Sequence, residues 1–151
     1  MDTAVRDTSF LDADAFLRTD QSEFGTAWRY ELVRGTIVAH AAPSPEHGVI
    51  LSNLTYELNG RLRGHPECRS EVGSGAAPQH EQRDTARIPD AMIRCGKHPC
   101  VLFEVVSPSE VRHKRQWDQK RSDPQAVEGV RKIVEIYRDE MLAHAYRRVG
   151  T

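Results

Sequence analysis

No apolar run in the chain approaches the ~20 residues a membrane-spanning helix needs. Nor does the opening stretch, "MDTAVRDTSFLDADAF", place a cationic segment before an apolar one, so no signal peptide is expected. Cysteine is scarce. Cys68, Cys95 and Cys100 are an odd three, which reads as thiols in a reducing cytoplasm rather than as a disulfide framework. An excess of charge of one sign is also missing: 21 Lys and Arg stand against 22 Asp and Glu, a formal net charge of -1. That excludes attraction of the whole chain to nucleic acid or a membrane surface; binding of nucleic acid would need a local basic patch or a metal. Repeats and low-complexity segments are absent too.

What remains is a globular composition, with 38% hydrophobic and 28% charged residues in 151. It fits one domain over residues 1–151, residues 1–10 being a flexible lead-in, with enough chain for a core. "FLDADAFLRTD" reads as a short helix capped by Asp12, with Phe16 and Leu17 facing inward. "WRYELVRGTIVAHAAP" reads as a hairpin turning at Arg34-Gly35. The strongest helix signal follows: Ser44 as cap, Pro45 in the first turn, an apolar stripe of Leu51, Leu54, Leu58 and Leu62, and Gly64 at the end. Residues 67–72, 88–93 and 100–106 read as strands, the last apolar enough to be central. A polar loop, "GSGAAPQHEQRDTA", separates the first two. A charged helix ends at Pro124, and two strands flank an Asp139-Glu140 turn. The order implies an α/β (α+β) fold, a mixed sheet flanked by helices with an N-terminal hairpin.

One residue breaks the pattern of the central strand. Glu104 sits inside Val101-Leu102-Phe103 and Val105-Val106, and burying an unpaired carboxylate costs several kcal/mol. Asp90 opens the strand before it. Two carboxylates on neighbouring strands repel, and a hard divalent cation resolves the repulsion; Mg²⁺ takes one or two carboxylates plus water and phosphate oxygens. Such an ion suits phosphodiester hydrolysis, and a nearby lysine, for which Lys120 is placed, would steady the developing charge. Turn chemistry at Pro89-Asp90 and an Arg partner for Glu104 explain the same residues without a metal.

The motifs "YELVRG-IV", "PSPEHGVI", "IPDAMI", "LFEVVSPSE" and a lysine, Lys120, separated by eight residues from Gly129-Val130 occur in one order across about residues 12–148. Together they resemble the bacterial Uma-type restriction-endonuclease family, an offshoot of the PD-(D/E)XK nucleases. The resemblance implies a restriction-endonuclease-like core and cleavage of DNA dependent on Mg²⁺ or Mn²⁺. It makes Asp90 and Glu104 the metal ligands and Lys120 the catalytic lysine, because Val106 occupies the usual lysine position. Glu31 and His47 match further site residues of the family. The chain departs from the pattern at Arg34, Lys114 and Pro124, which keeps open a catalytically degenerate binding module of the same fold. By analogy alone, a homodimer would cut both strands.

Glu31 reads either as a third ligand or as an outward charge on the hairpin, and His47 as a packing or capping residue in a first helical turn. Cys68, Cys95, His98 and Cys100 fit a zinc site poorly, since Cys95 and Cys100 are too widely spaced. Residues 111–121 form the most basic stretch around Trp117, a candidate for phosphate contacts or a solvated helix face. Trp28, Tyr137 and Tyr146 read as core or strand-face aromatics.

Overall fold

A computed structural model describes residues 12–77, 84–112 and 127–148. The first helix, α1 (Ala13–Arg18), starts where the Asp12 side chain accepts from Ala15 N at 2.7 Å. Phe16 is buried, but Leu17 is 39% exposed, so only one of the two apolar side chains faces inward. A single 3₁₀ turn, Gln21–Phe24, leads into the hairpin β1 (Arg29–Val33) and β2 (Thr36–His40). Its two-residue turn places Arg34 at φ 49° and Gly35 at φ 74°, the left-handed pair that matches the twist of antiparallel strands.

Helix α2 spans Pro45–Leu62, with the Ser44 hydroxyl accepting from His47 N at 3.3 Å. Leu51, Leu54 and Leu58 pack on Ala91, Phe103 and Val101 of the main sheet. That sheet runs β3 (Cys68–Val72), β4 (Ala91–Cys95), β5 (His98–Val106), β6 (Lys132–Tyr137) and β7 (Ala143–Arg147) in spatial order. Only β5 and β6 are parallel, so the sheet is mixed. Helix α3 (Pro108–Arg112) opens the connection between them. The order of elements follows the sequence reading. Among the described residues no helix is long and apolar enough to cross a membrane.

Side chains alternate along β5. Phe103 and Val101 meet α2, whereas Leu102 joins Met92, Ile133, Val127 and Val130 in a separate cluster. A third cluster holds α1 to the hairpin through Phe16, Tyr30, Leu32, Ala86 and Ile88. The segment after residue 84 is pinned on both sides. Leu32 and Ala86 exchange main-chain hydrogen bonds of 3.0 and 2.8 Å, and Ala76 and Arg87 exchange bonds of 2.8 and 2.9 Å. This segment delivers Asp90 to the start of β4.

The cysteines correct the sequence reading. Cys68 and Cys95 are directly opposed across β3 and β4 and form a disulfide; Cys100 is free. Strand register brings residues 27 apart in sequence face to face, a relation that cysteine spacing cannot express. Two of the four candidate zinc ligands therefore bind each other, and the cysteines no longer point to a reducing compartment.

Candidate active site

Asp90 lies beside Glu104, because the β4–β5 register pairs Ala91 with Phe103 and the next step outward brings these two carboxylates level. Both are buried, at 7% and 5% exposure. Asp90 Oδ2 accepts from Val105 N at 2.8 Å, which latches the start of β4 to β5. Its Oδ1 lies 3.2 Å from Arg29 Nη1 and 3.3 Å from His47 Nε2. Burial pushes the Asp90 carboxyl up. The His47 hydrogen bond, the Val105 N–H and the charges of His47 and Arg29 outweigh it and hold the group at about 2. Asp90 is therefore ionised at neutral pH although enclosed.

Arg29, at the first position of β1, was missed by sequence reasoning. Burial alone would lower its pKa, but the carboxylates of Glu31, Glu104 and Asp90 together raise it. Its Nε is buried and has no hydrogen-bond partner among the described residues. No motif singles out this arginine; only the fold brings the hairpin strand against the carboxylates.

Glu31 is completely buried, which removes the reading of an outward hairpin charge. Period-two alternation in β1 puts Tyr30 and Leu32 on one face and Glu31 on the other. Both faces are covered here, giving three consecutive buried residues, Tyr30, Glu31 and Leu32. Glu31 Oε1 accepts from Ile88 N at 2.9 Å, and Oε2 from Arg87 Nη1 at 3.2 Å with His40 Nε2 at 3.1 Å. It ties the hairpin to the segment that carries Asp90. His47 reaches the site from the first turn of α2, its backbone capped by Ser44 and its ring on Asp90.

Glu135 was also overlooked, although it carries the signal that exposed Glu104, a carboxylate inside an apolar strand, "KIVEIY". It pairs with Glu104 in the parallel β5–β6 register, is fully buried, and accepts from the Tyr137 hydroxyl at 3.3 Å. Trp28, read as a core aromatic, is instead 68% exposed, since it precedes β1 in a bend outside the packed clusters. Lys120, Lys114, Trp117 and Pro124 lie outside the described residues.

The donor chemistry suits a hard divalent ion at Asp90 and Glu104, which needs no more than two carboxylates with water completing its shell. Among the described residues no group of three or more His, Cys, Asp or Glu side chains converges as a ready-made metal cage. Arg29 and His47 already contact Asp90 Oδ1.

Comparison with known proteins agrees with this architecture. Residues 13–151 match the Uma2 family model, described as "Putative restriction endonuclease". A solved structure described as "a putative nuclease belonging to DUF820", from Anabaena variabilis, is similar with a TM-score of 0.65 at 17% identity, over 91% of this chain and 79% of that one. This likeness shows the fold. No protein of curated function matches the sequence. The chain belongs to the Uma2 family, and its mixed sheet with flanking helices is the fold of that nuclease neighbour.

Proposed function

We propose that this Uma2-family protein is a metal-dependent endonuclease that hydrolyses DNA phosphodiester bonds at Asp90 and Glu104. The observation that carries the reading is the buried, ionised Asp90 level with buried Glu104 in a chain of restriction-endonuclease type. Asp90 and Glu104 would hold the ion, Mg²⁺ or Mn²⁺, whose chemistry when bound is to polarise the phosphodiester and lower the pKa of water.

The chain's own residues divide the remaining work. Burial makes the carboxylate charges strong, because little water screens them. Val105 N–H and His47 fix the Asp90 carboxylate in orientation, and Arg29 supplies a permanent cation beside it for a phosphate oxygen. Lys120 is proposed as the catalytic lysine near the scissile phosphate. Glu31 acts by positioning, through Ile88 and Arg87, and not as a ligand. By analogy, a homodimer would cut both strands, one in each site.

One observation favours a second reading. Asp90 Oδ1 already faces two cationic or proton-donating groups, so the carboxylate is satisfied without metal. A degenerate module that binds nucleic acid without cutting would have the same network. Nicking of supercoiled plasmid at low salt, in Mg²⁺, Mn²⁺ or EDTA, separates the two: metal-dependent nicking supports the nuclease, and DNA binding without nicking supports the module.

A further inference from the structure

A cleft of about 910 Å³ opens between the α1–β1 segment and the β3–β4 edge of the sheet. Its walls carry Arg29, Arg69, Arg94 and Lys97 against a single carboxylate, Glu71. Arg29 is opposed by the carboxylates behind it, so the local surplus of positive charge comes from Lys97 and from the two arginines that share Glu71. Glu71 is shared by two of these arginines, Arg69 Nε and Arg94 Nε each lying 2.9 Å from its Oε1. Lys97 is exposed, and the Arg69 side chain is 62% exposed although paired.

Trp28 lies on the lip of the same cleft. Its indole is 68% exposed, which leaves a broad aromatic face open beside the cations of the cleft. The residue after it, Arg29, lines the cleft and also contacts Asp90. The cleft and the carboxylates therefore meet at one side chain.

We infer that this cleft binds a single-stranded DNA segment, with a base stacked on Trp28 and phosphates running past Lys97 and Arg69 toward Arg29. Aromatic platforms interleaved with cations are the general means of holding single strands, because every base presents a π face. A fully paired duplex keeps its base faces covered and offers Trp28 nothing to stack on. The inference names the form of the DNA that the proposed nuclease engages, and so rests on that reading for its function but not for its test.

The test is binding in EDTA, where no cleavage intervenes. The chain holds two tryptophans, Trp28 and Trp117. Trp117→Phe leaves Trp28 as the sole indole, and its emission is followed during titration with a short oligo-dT and with a duplex of equal length. Saturable quenching by the single strand, weak or absent with the duplex, is expected. By anisotropy of labelled oligo-dT, Trp28→Ala should bind about ten-fold more weakly while Trp28→Phe retains most of the affinity. Lys97→Gln should lower the slope of log affinity against log salt by about 0.7. Trp28 and Lys97 are exposed, so these variants should fold, which circular dichroism checks.

Equal quenching by duplex, or unchanged oligo-dT affinity in Trp28→Ala, overturns the inference. A Trp28→Ala variant that binds DNA normally but elutes at a different size would assign the cleft to a second copy of the chain, and overturns it as well. Single-strand binding through Trp28 by a protein that never nicks plasmid would leave this inference standing and remove the nuclease. Nicking without involvement of Trp28 would do the reverse.

Discussion

The side chain of Asp90 accepts the main-chain N–H of Val105 at 2.8 Å, so the residue at the head of β4 is fastened to the strand that carries Glu104. The bond ties the Asp90 carboxylate directly to the backbone of the residue after Glu104. It also means that Asp90 is both a structural acceptor and the proposed ligand, and substitutions there must separate the two roles.

Asp90→Ala should therefore be a poor probe of chemistry. It leaves the Val105 N–H and the Arg29 guanidinium without their partner in a buried setting. The expected cost is about 3 kcal/mol of stability, read from urea unfolding. Asp90→Asn retains an acceptor for Val105 and should cost less.

The low pKa of Asp90 makes a pH prediction with a definite sign. Its folded value is about 2 against 3.8 for the free group, so folding favours the ionised form. The stabilisation is complete above the unfolded value and is lost as pH falls through the folded one. Between roughly pH 4 and pH 2 the wild type should lose on the order of 2 kcal/mol through this group. Asp90→Asn should lack that part of the acid sensitivity; identical acid unfolding curves for the two proteins would contradict it.

Glu31→Gln tests positioning. The substitution can preserve an acceptor for Ile88 N but removes the charge that Glu31 presents to buried Arg87. A loss of about 3 kcal/mol in unfolding free energy is expected. At temperatures where the variant remains folded, metal affinity by calorimetry should match wild type. A lost metal isotherm in a folded Glu31→Gln protein would instead make it a ligand.

The disulfide predicts a thiol count. Denatured without reductant, the protein should show one reactive thiol, Cys100, and three after reduction. Cys68→Ser with Cys95→Ser should lower stability by about 3 kcal/mol, from the loop the bond closes. Three thiols before reduction would refute the pairing.

The hairpin and α2 were legible because their signals are local. Arg34-Gly35 supplies the turn, Ser44 the cap, and the leucine stripe one face of a helix. Glu104 was legible because a charge inside an apolar strand demands a partner. The cation at the site was not, since Arg29 lies 61 positions from the Asp90 it contacts and meets it only through tertiary packing. The opposed cysteines depend on register, which no spacing rule encodes. Glu31 was ambiguous because alternation assumes one wet face, and this hairpin strand has none.

The most direct measurement is nicking of supercoiled plasmid by wild type, Asp90→Asn and Glu104→Gln, side by side at low salt in Mg²⁺, Mn²⁺ and EDTA, with folding verified for each. Metal-dependent nicking by wild type, reduced at least about 100-fold in both variants, is the predicted result. Undiminished nicking by either folded variant, or none by wild type under any condition, would contradict the assignment of Asp90 and Glu104 as the catalytic centre.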